Sequence, residues 1–279
     1  MKISIITPSL NQGEFIEETI KSVINQTGDF DLEYIIIDGK SSDNSINIIK
    51  EYDQLIKSGE FIPRCKSLKY IWLSEKDRGQ SQAINKGLKI SSGEIINWLC
   101  SDDLLENGAL QEVSTFFEKN KNTKVVFGQN LFIKEKGEVF RHFKSREFNR
   151  PELIKRWNSV YWQFNIPQPS TFARRDLLSE IGYLNTGIQF CMDYDWYLRI
   201  NKKYKLYLLD KFLSKSRYHK TAKSIAKRKE QYKESIDVSK KYWPENYFYY
   251  YSSYLLDKLS KLVEKKIYSF PWNYKGSGD

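Results

Sequence analysis

The chain has 279 residues, enough for one large domain or two lobes sharing a sheet, and 40% apolar residues give it a substantial core and argue against global disorder. The net charge of +10 is concentrated near the end: residues 211–279 carry 16 Lys+Arg against 7 Asp+Glu, and the first 210 positions carry 29 against 28. Three cysteines without a CxxC pair and two histidines, His142 and His219, exclude a disulfide framework, a zinc-thiolate site and a histidine-rich metal centre.

Lys2 to Thr7 is a β-rich apolar run, stopped by Pro8 and too short for a secretory leader. Glu14 to Asn25 has helical spacing, with Phe15, Ile16, Ile20, Val23 and Ile24 on one side. Leu32 to Ile37 is a nearly continuous apolar strand of the kind covered on both faces. A helix over Ser42–Ile56, a strand over Leu68–Leu73, a helix over Gln80–Ile90 and a strand over Glu94–Leu99 follow. That order predicts an α/β fold, a largely parallel sheet with helices on both faces. Beyond Leu104 the pattern is less regular: a helix over Gly108–Glu118, a strand over Lys124–Phe127, short strands and loops, then helices near Glu152–Trp157 and Tyr194–Asn201. From Thr221 the chain reads as helical, interrupted at Pro244. The three cysteines fit a reducing cytoplasm, and no run of 18 apolar residues occurs, so a cytoplasmic location and no membrane span are expected.

In open α/β sheets ligands bind outside the carboxyl ends of the strands, so the strand ends are informative. They read Thr7-Pro8-Ser9-Leu10-Asn11, Asp38-Gly39-Lys40-Ser41-Ser42-Asp43, Glu75-Lys76-Asp77-Arg78-Gly79-Gln80 and Ser101-Asp102-Asp103. Each cluster alone could be structural, with Asp38 or Asp43 capping the next helix. Four together point to one polar site. There is no GxGxxG and no Walker-type lysine loop, which argues against a dinucleotide enzyme or a P-loop NTPase. The pair Asp102-Asp103 offers another way to meet a phosphate, because Mg²⁺ and Mn²⁺ bind through one or two carboxylates plus substrate phosphates.

The segments SIITPSLNQGEFIEETIKSVINQ, YIIIDGKSSDNS, SEKDRGQSQAINKGLKISSGEIINWLCSDD and MDYDWYLRI together resemble the family 2 glycosyltransferases of GT-A fold, over about residues 1–220. The resemblance implies a nucleotide-binding half at 1–103, an acceptor half at 104–220 and a basic, aromatic helical extension at 221–279. It implies that Pro8 and Asp38 hold the base and ribose of the donor, that Asp77 faces the nucleotide, and that Asp102-Asp103 meets ribose and metal, with Asp103 the metal contact. Thr7, Ser9, Asn11, Gly39, Gly79, Gln80, Asn85 and Ser101, within the same segments, complete the expected donor site. Asp193 matches the catalytic base, although Met192 stands where an acidic residue usually precedes it. Asp195 would point about 200° away on a helix. Asp193 could otherwise be a helix N-cap. Ser216-Arg217-Tyr218-His219-Lys220 resembles the basic stretch that follows, which makes His219 either a metal or diphosphate ligand or a solvated histidine. Gln168, in Pro167–Phe172, resembles part of the acceptor half. Trp98, Trp162 and Trp196 offer either flat faces to a sugar or core packing, and Trp196 is taken with Gln168 as an acceptor contact.

The implied reaction is transfer from a nucleotide sugar, by resemblance a UDP-sugar, to a hydroxyl of a saccharide or lipid-linked acceptor, with inversion and with Mg²⁺ or Mn²⁺, in surface polysaccharide biosynthesis. A nucleotidyltransferase would want a basic glycine-rich loop where Pro8–Gly13 has no Lys or Arg. A binding module, whether for nucleotide sugars or nucleic acid, is the other alternative. The near-neutral body speaks against nucleic acid. In the tail, eight aromatic residues between Tyr242 and Tyr254 precede a stripe of Leu255, Leu256, Leu259, Leu262, Val263 and Ile267 flanked by lysines. That pattern suits peripheral contact with the cytoplasmic face of a membrane, packing on the body, or a homodimer.

Overall fold

The computed structural model describes residues 1–147, 153 and 166–244. Its centre is β1 (Lys2–Ser9), flanked by β2 (Gly28–Asp38) and β4 (Ile95–Trp98), with β3 (Cys65–Ser74) outside β2, all parallel. Seven of the eight residues of β1 are buried, Ser4, Thr7 and Ser9 among them, as expected of a strand covered on both faces. Ile3 and Ile5 point to one face and Ile6 to the other, so alternate side chains feed two separate cores. On one face lie α1 (Ile16–Ile24), α2 (Ser45–Ser58) and α4 (Ala109–Lys119). On the other lie α3 (Gln80–Ile90), α5 (Leu177–Ile181) and α6 (Met192–Ile200).

The sheet continues as a mixed one. β8 (Thr171–Arg174) runs antiparallel to β4, β6 (Val125–Lys134) antiparallel to β8, and β9 (Leu206–Tyr218) parallel to β6. β7 (Val139–Phe143) pairs with β6, and the two-residue β5 (Leu104–Leu105) closes on β9. The strand order is β3-β2-β1-β4-β8-β6-β9-β5. Two reversals return β6 and β9 to the direction of β4. The end of β9 therefore reaches the same edge as the ends of β1 to β4. β6 and β9 are longer than the short strands expected there. Register shifts near Gly128 break their alternation, so no clean period survives in the sequence. A Cβ on Gly128 would lie 2.5 Å from Leu213 side-chain carbons, which keeps that crossing to glycine.

Helix α3 is drawn close to the sheet by Gly87. A Cβ there would sit 2.4 Å from Cγ2 of Ile6, a buried β-branched residue that cannot swing away. Gly87→Ala is therefore expected to destabilise the fold by about 1–3 kcal/mol through overpacking, read as a lower urea midpoint at unchanged m-value. An unchanged midpoint would mean that α3 can lift off β1 freely.

After β9 the chain turns back as α7 (Lys223–Ala226) and α8 (Arg228–Tyr242), and α8 packs on α6. The predicted helix near Glu152–Trp157, Trp162, and the aromatic cluster and apolar stripe proposed for membrane contact lie outside the described residues, apart from Leu153, which is buried, and Tyr242 and Trp243, which pack against the core. Among the described residues no helix is long and apolar enough to cross a membrane.

Candidate active site

Four loops gather where β1 to β4 end. The first two are zipped together: Asn11 N–H donates to Ser41 Oγ (2.8 Å), Ser42 N–H to Asn11 Oδ1 (2.8 Å), Gln12 N–H to Ser45 Oγ (2.9 Å) and Gly13 N–H to Asp43 Oδ2 (2.8 Å). Asn11 (φ 52°) and Lys40 (φ 69°) are held in the left-handed region by this network, a strain common where backbone is shaped for a ligand. Asp43 also accepts from Ser45 N–H (3.0 Å) at the start of α2, from the position before the N-cap Asn44.

Asp38 is fully buried. It accepts from Lys40 N–H, Ser41 N–H and Ser74 Oγ at one oxygen and from Ser41 Oγ at the other. Its carboxylate thus knits the second and third loops. Gly39 lies against the third: a Cβ on it would meet Asp77 Oδ2 at 2.8 Å. Asp77 accepts from Gly79 N–H (2.8 Å), and Gly79, at φ 127°, opens α3. Ser9 Oγ is buried at the end of β1 without a hydrogen-bond partner among the described residues, a donor and acceptor left over for a ligand. Pro8, between it and Thr7, is buried in register with Ile37.

The fourth loop carries the chemistry. Cys100, Ser101, Asp102 and Asp103 form a tight turn, closed by Asp103 N–H to Cys100 O (3.0 Å). Ligand atoms of Cys100, Asp102 and Asp103 all lie within 4.8 Å of one another. His219 Nε2 lies 2.9 Å from Asp102 Oδ2, and the other ring nitrogen 2.8 Å from Thr221 Oγ1. Burial first, and then the charge of Asp102, push the Asp103 carboxyl well above its ordinary range, only partly opposed by Arg217. Two carboxylates and an imidazole crowded in this way suit a hard divalent cation, which would relieve the like-charge repulsion. Asp102, Asp103 and His219 could hold it.

Arg217, named in the sequence only as part of a basic stretch, locks this turn. Its N–H donates to Asp103 Oδ1 (3.1 Å) and its Nε to Asp102 O (3.1 Å). Its guanidinium also reaches Glu18 (2.5 Å) and Glu135 O, and lies 5.1 Å from the Phe15 ring centre. Thr19 Oγ1 donates to Asp103 O (2.9 Å), which ties the turn to α1 as well. No local signal marks Arg217 or Thr19, which stand 114 and 84 residues from Asp103.

Asp193 sits in the first turn of α6, accepting from Tyr194 N–H (2.8 Å). Burial raises its carboxyl to about 6, with the charge of Glu234 adding to the shift. Burial first, and then the charges of Asp103, Asp102 and Asp193, raise the Cys100 thiol. Gln80 Nε2 (3.1 Å) and Gln168 Oε1 (3.8 Å) also meet Cys100 Sγ, which brings both predicted glutamines to the same place. Asp195 faces elsewhere: it is buried and takes Arg199 Nε (2.9 Å) and Tyr242 OH (2.7 Å).

Three expected contacts are placed differently. Trp196 is 1% exposed, donates to Gly182 O and stacks edge-on with the buried Trp98, so neither ring has a face for an acceptor sugar. Asn85 spends both ends of its amide on Leu184, binding α3 to the loop before α6. Thr7 is fully buried and accepts from Tyr34 OH within the core.

Residues 4–182 match the family model described as Glycosyl transferase family 2. The poly(ribitol-phosphate) beta-N-acetylglucosaminyltransferase TarP of Staphylococcus aureus is 29% identical over 221 residues, covering 72% of this chain and 63% of TarP. The crystal structure of S. aureus TarS 1-349 in complex with UDP-GlcNAc is similar with a TM-score of 0.62 at 18% identity, over 85% of this chain and 65% of that one. Mannosyltransferase PcManGT from Pyrobaculum calidifontis, in complex with GDP-Man and Mn2+, gives 0.61 at 14% identity, over 96% and 81%. The chain spans just under two thirds of TarP and of the TarS fragment. The two solved structures share its fold.

Proposed function

The chain belongs to glycosyl transferase family 2 and is a glycosyltransferase, and from that premise we propose that it moves a sugar from a UDP-sugar to a hydroxyl of a saccharide or lipid-linked acceptor, with inversion and with a divalent cation. The observation that carries this reading is the cluster of Cys100, Asp102 and Asp103, whose ligand atoms lie within 4.8 Å of one another with His219 Nε2 2.9 Å from Asp102, at the edge where the nucleotide-facing loops meet. Asp102, Asp103 and His219 would hold the cation, which when bound neutralises charge on the leaving diphosphate. Arg217 fixes the turn that carries two of these ligands. The Ser9 hydroxyl, Gly39 and the Asp77–Gly79 loop form the donor's floor. Asp193 accepts the proton of the acceptor hydroxyl as that oxygen bonds to the anomeric carbon. The electron pair of the breaking bond leaves with the nucleoside diphosphate. One displacement inverts the anomeric centre. The partners named for TarP, TarS and PcManGT (poly(ribitol-phosphate), UDP-GlcNAc, GDP-Man with Mn2+) support a nucleotide-sugar donor, a cation and a cell-surface polymer as acceptor. The basic tail supports an acceptor carried at an anionic membrane.

The test is a panel of UDP-GlcNAc, UDP-glucose and GDP-mannose, with Mg²⁺, Mn²⁺ or excess EDTA, scored for release of the nucleoside diphosphate. Cation-dependent turnover of a UDP-sugar is expected. Undiminished turnover in EDTA would remove the cation from the mechanism, and turnover of GDP-mannose alone would replace the donor class.

A further inference from the structure

Helix α6, which presents Asp193, is not closed by its own side chains: Cys191 at its N-cap makes no side-chain capping bond. The three preceding donors, the N–H groups of Gln189, Phe190 and Cys191, all go to the carboxylate of Glu234 in α8, at 2.8, 2.6 and 2.9 Å. More contacts seat α8 around this point. Cys191 Sγ donates to Gln231 O (3.4 Å), the Tyr194 and Ser239 hydroxyls share a hydrogen bond (2.8 Å), and Tyr242 OH donates to Asp195. The Lys223 ammonium donates to Gln189 O and lies 5.0 Å from the Phe190 ring centre.

We propose that Glu234 is a positioning residue for the reaction: by gathering the three N–H groups that lead into α6, it fixes where Asp193 meets the acceptor hydroxyl. This rests on the reading of Asp193 as the base. The physical reason is twofold. A helix N-terminus attracts negative charge through its unpaired N–H groups, so an anion there sets the entry angle of the chain. Glu234 holds the donors at 189–191, while the Asp193 carboxylate accepts from the N–H of Tyr194. A second negative charge beside the base also increases its proton affinity, which strengthens it as a base. Facing Asp193 are also Cys100, Cys191 and Tyr197, all held neutral chiefly by burial. Lys223 is close too, its charge disfavoured by burial. Glu234 is therefore the charge on α8 that acts on Asp193. The helix after the sheet is in this way part of the catalytic apparatus, although the family match ends at residue 182.

The experiment uses the full chain, the UDP-sugar it turns over and saturating Mn²⁺. Glu234→Gln keeps the shape but loses the charge. Its kcat should fall about tenfold, short of the roughly 10²–10⁴-fold that loss of the base itself costs, with donor KM unchanged. The acid limb of its pH profile should move to lower pH by about half a unit. Glu234→Asp, charged but shorter, should restore the limb and only part of kcat. Glu230→Gln, on an exposed position of the same helix, should behave as wild type. A Gln variant with wild-type kcat and acid limb overturns the proposal. So does a loss of activity that merely follows a lowered melting temperature with the limb unmoved. Asp193→Asn is measured alongside: if it is fully active, the reading of the base fails, whereas an inactive Asp193→Asn beside a normal Glu234→Gln removes Glu234 alone.

Discussion

Asp103→Asn should be more stable than the native chain in EDTA and almost inactive in Mn²⁺. The two effects have one origin. Asp103 is a buried carboxylate beside Asp102, and burial and that neighbour raise its pKa. A carboxyl whose folded pKa lies above its unfolded value favours the fold at low pH, and that contribution is lost as pH rises through the folded value. At neutral pH its charge therefore works against the fold, and an amide removes the penalty. The fold should survive, because Asn Oδ1 can still accept from Arg217 N–H as Asp103 does. Turnover should fall by about a thousandfold or more, since several kcal/mol of charge stabilisation at the leaving group go with the lost ligand. Melting curves with and without Mn²⁺, beside initial rates, check both halves. A variant that melts lower in EDTA would show that the two carboxylates do not repel, and full activity would place the cation elsewhere.

Asp193→Asn should lower turnover by about 10²–10⁴-fold, the usual weight of general base catalysis, with donor KM little changed. In the native enzyme kcat should fall on the acid side with a midpoint set by Asp193, which burial raises to about 6. Above that pH the base is ionised and active, and below it the base is protonated and turnover falls about tenfold per unit. Asp195→Asn should behave in the opposite way. Asp195 is the buried partner of Arg199 and Tyr242, so its loss should lower the melting temperature and leave the acid limb in place. A stable but inactive Asp195→Asn beside an active Asp193→Asn would reverse the assignment.

The first hundred residues were legible because their physics is local. Gln80–Ile90 is helical over the range its spacing predicts, and β1, β2 and β4 read as strands because both their faces are covered. The strand-end rule then located the four loops, and resemblance singled out Asp103 and Asp193. β9 was not legible: register shifts and exposed lysines interrupt its apolar alternation. Trp196 was misread because whether an aromatic ring is core or platform depends on its tertiary neighbours. Glu234 and the role of Arg217 were missed for a related reason. Each acts on main-chain atoms far away in sequence, and a residue that grips backbone leaves no trace in the composition of what it grips.

The clamp on the acidic turn also has a schedule. Asp103 and Arg217, joined by a hydrogen bond in the finished protein, stand 114 residues apart. At a synthesis rate of about 5–20 residues per second, the turn leaves the ribosome roughly 6 to 23 s before the strand that locks it. During that interval the nascent chain can already assemble β1 to β4, but it carries two adjacent, untethered carboxylates without Arg217 or His219. The clamp on the acidic turn therefore closes only once β9 has been made, after the strands that carry the nucleotide-facing loops.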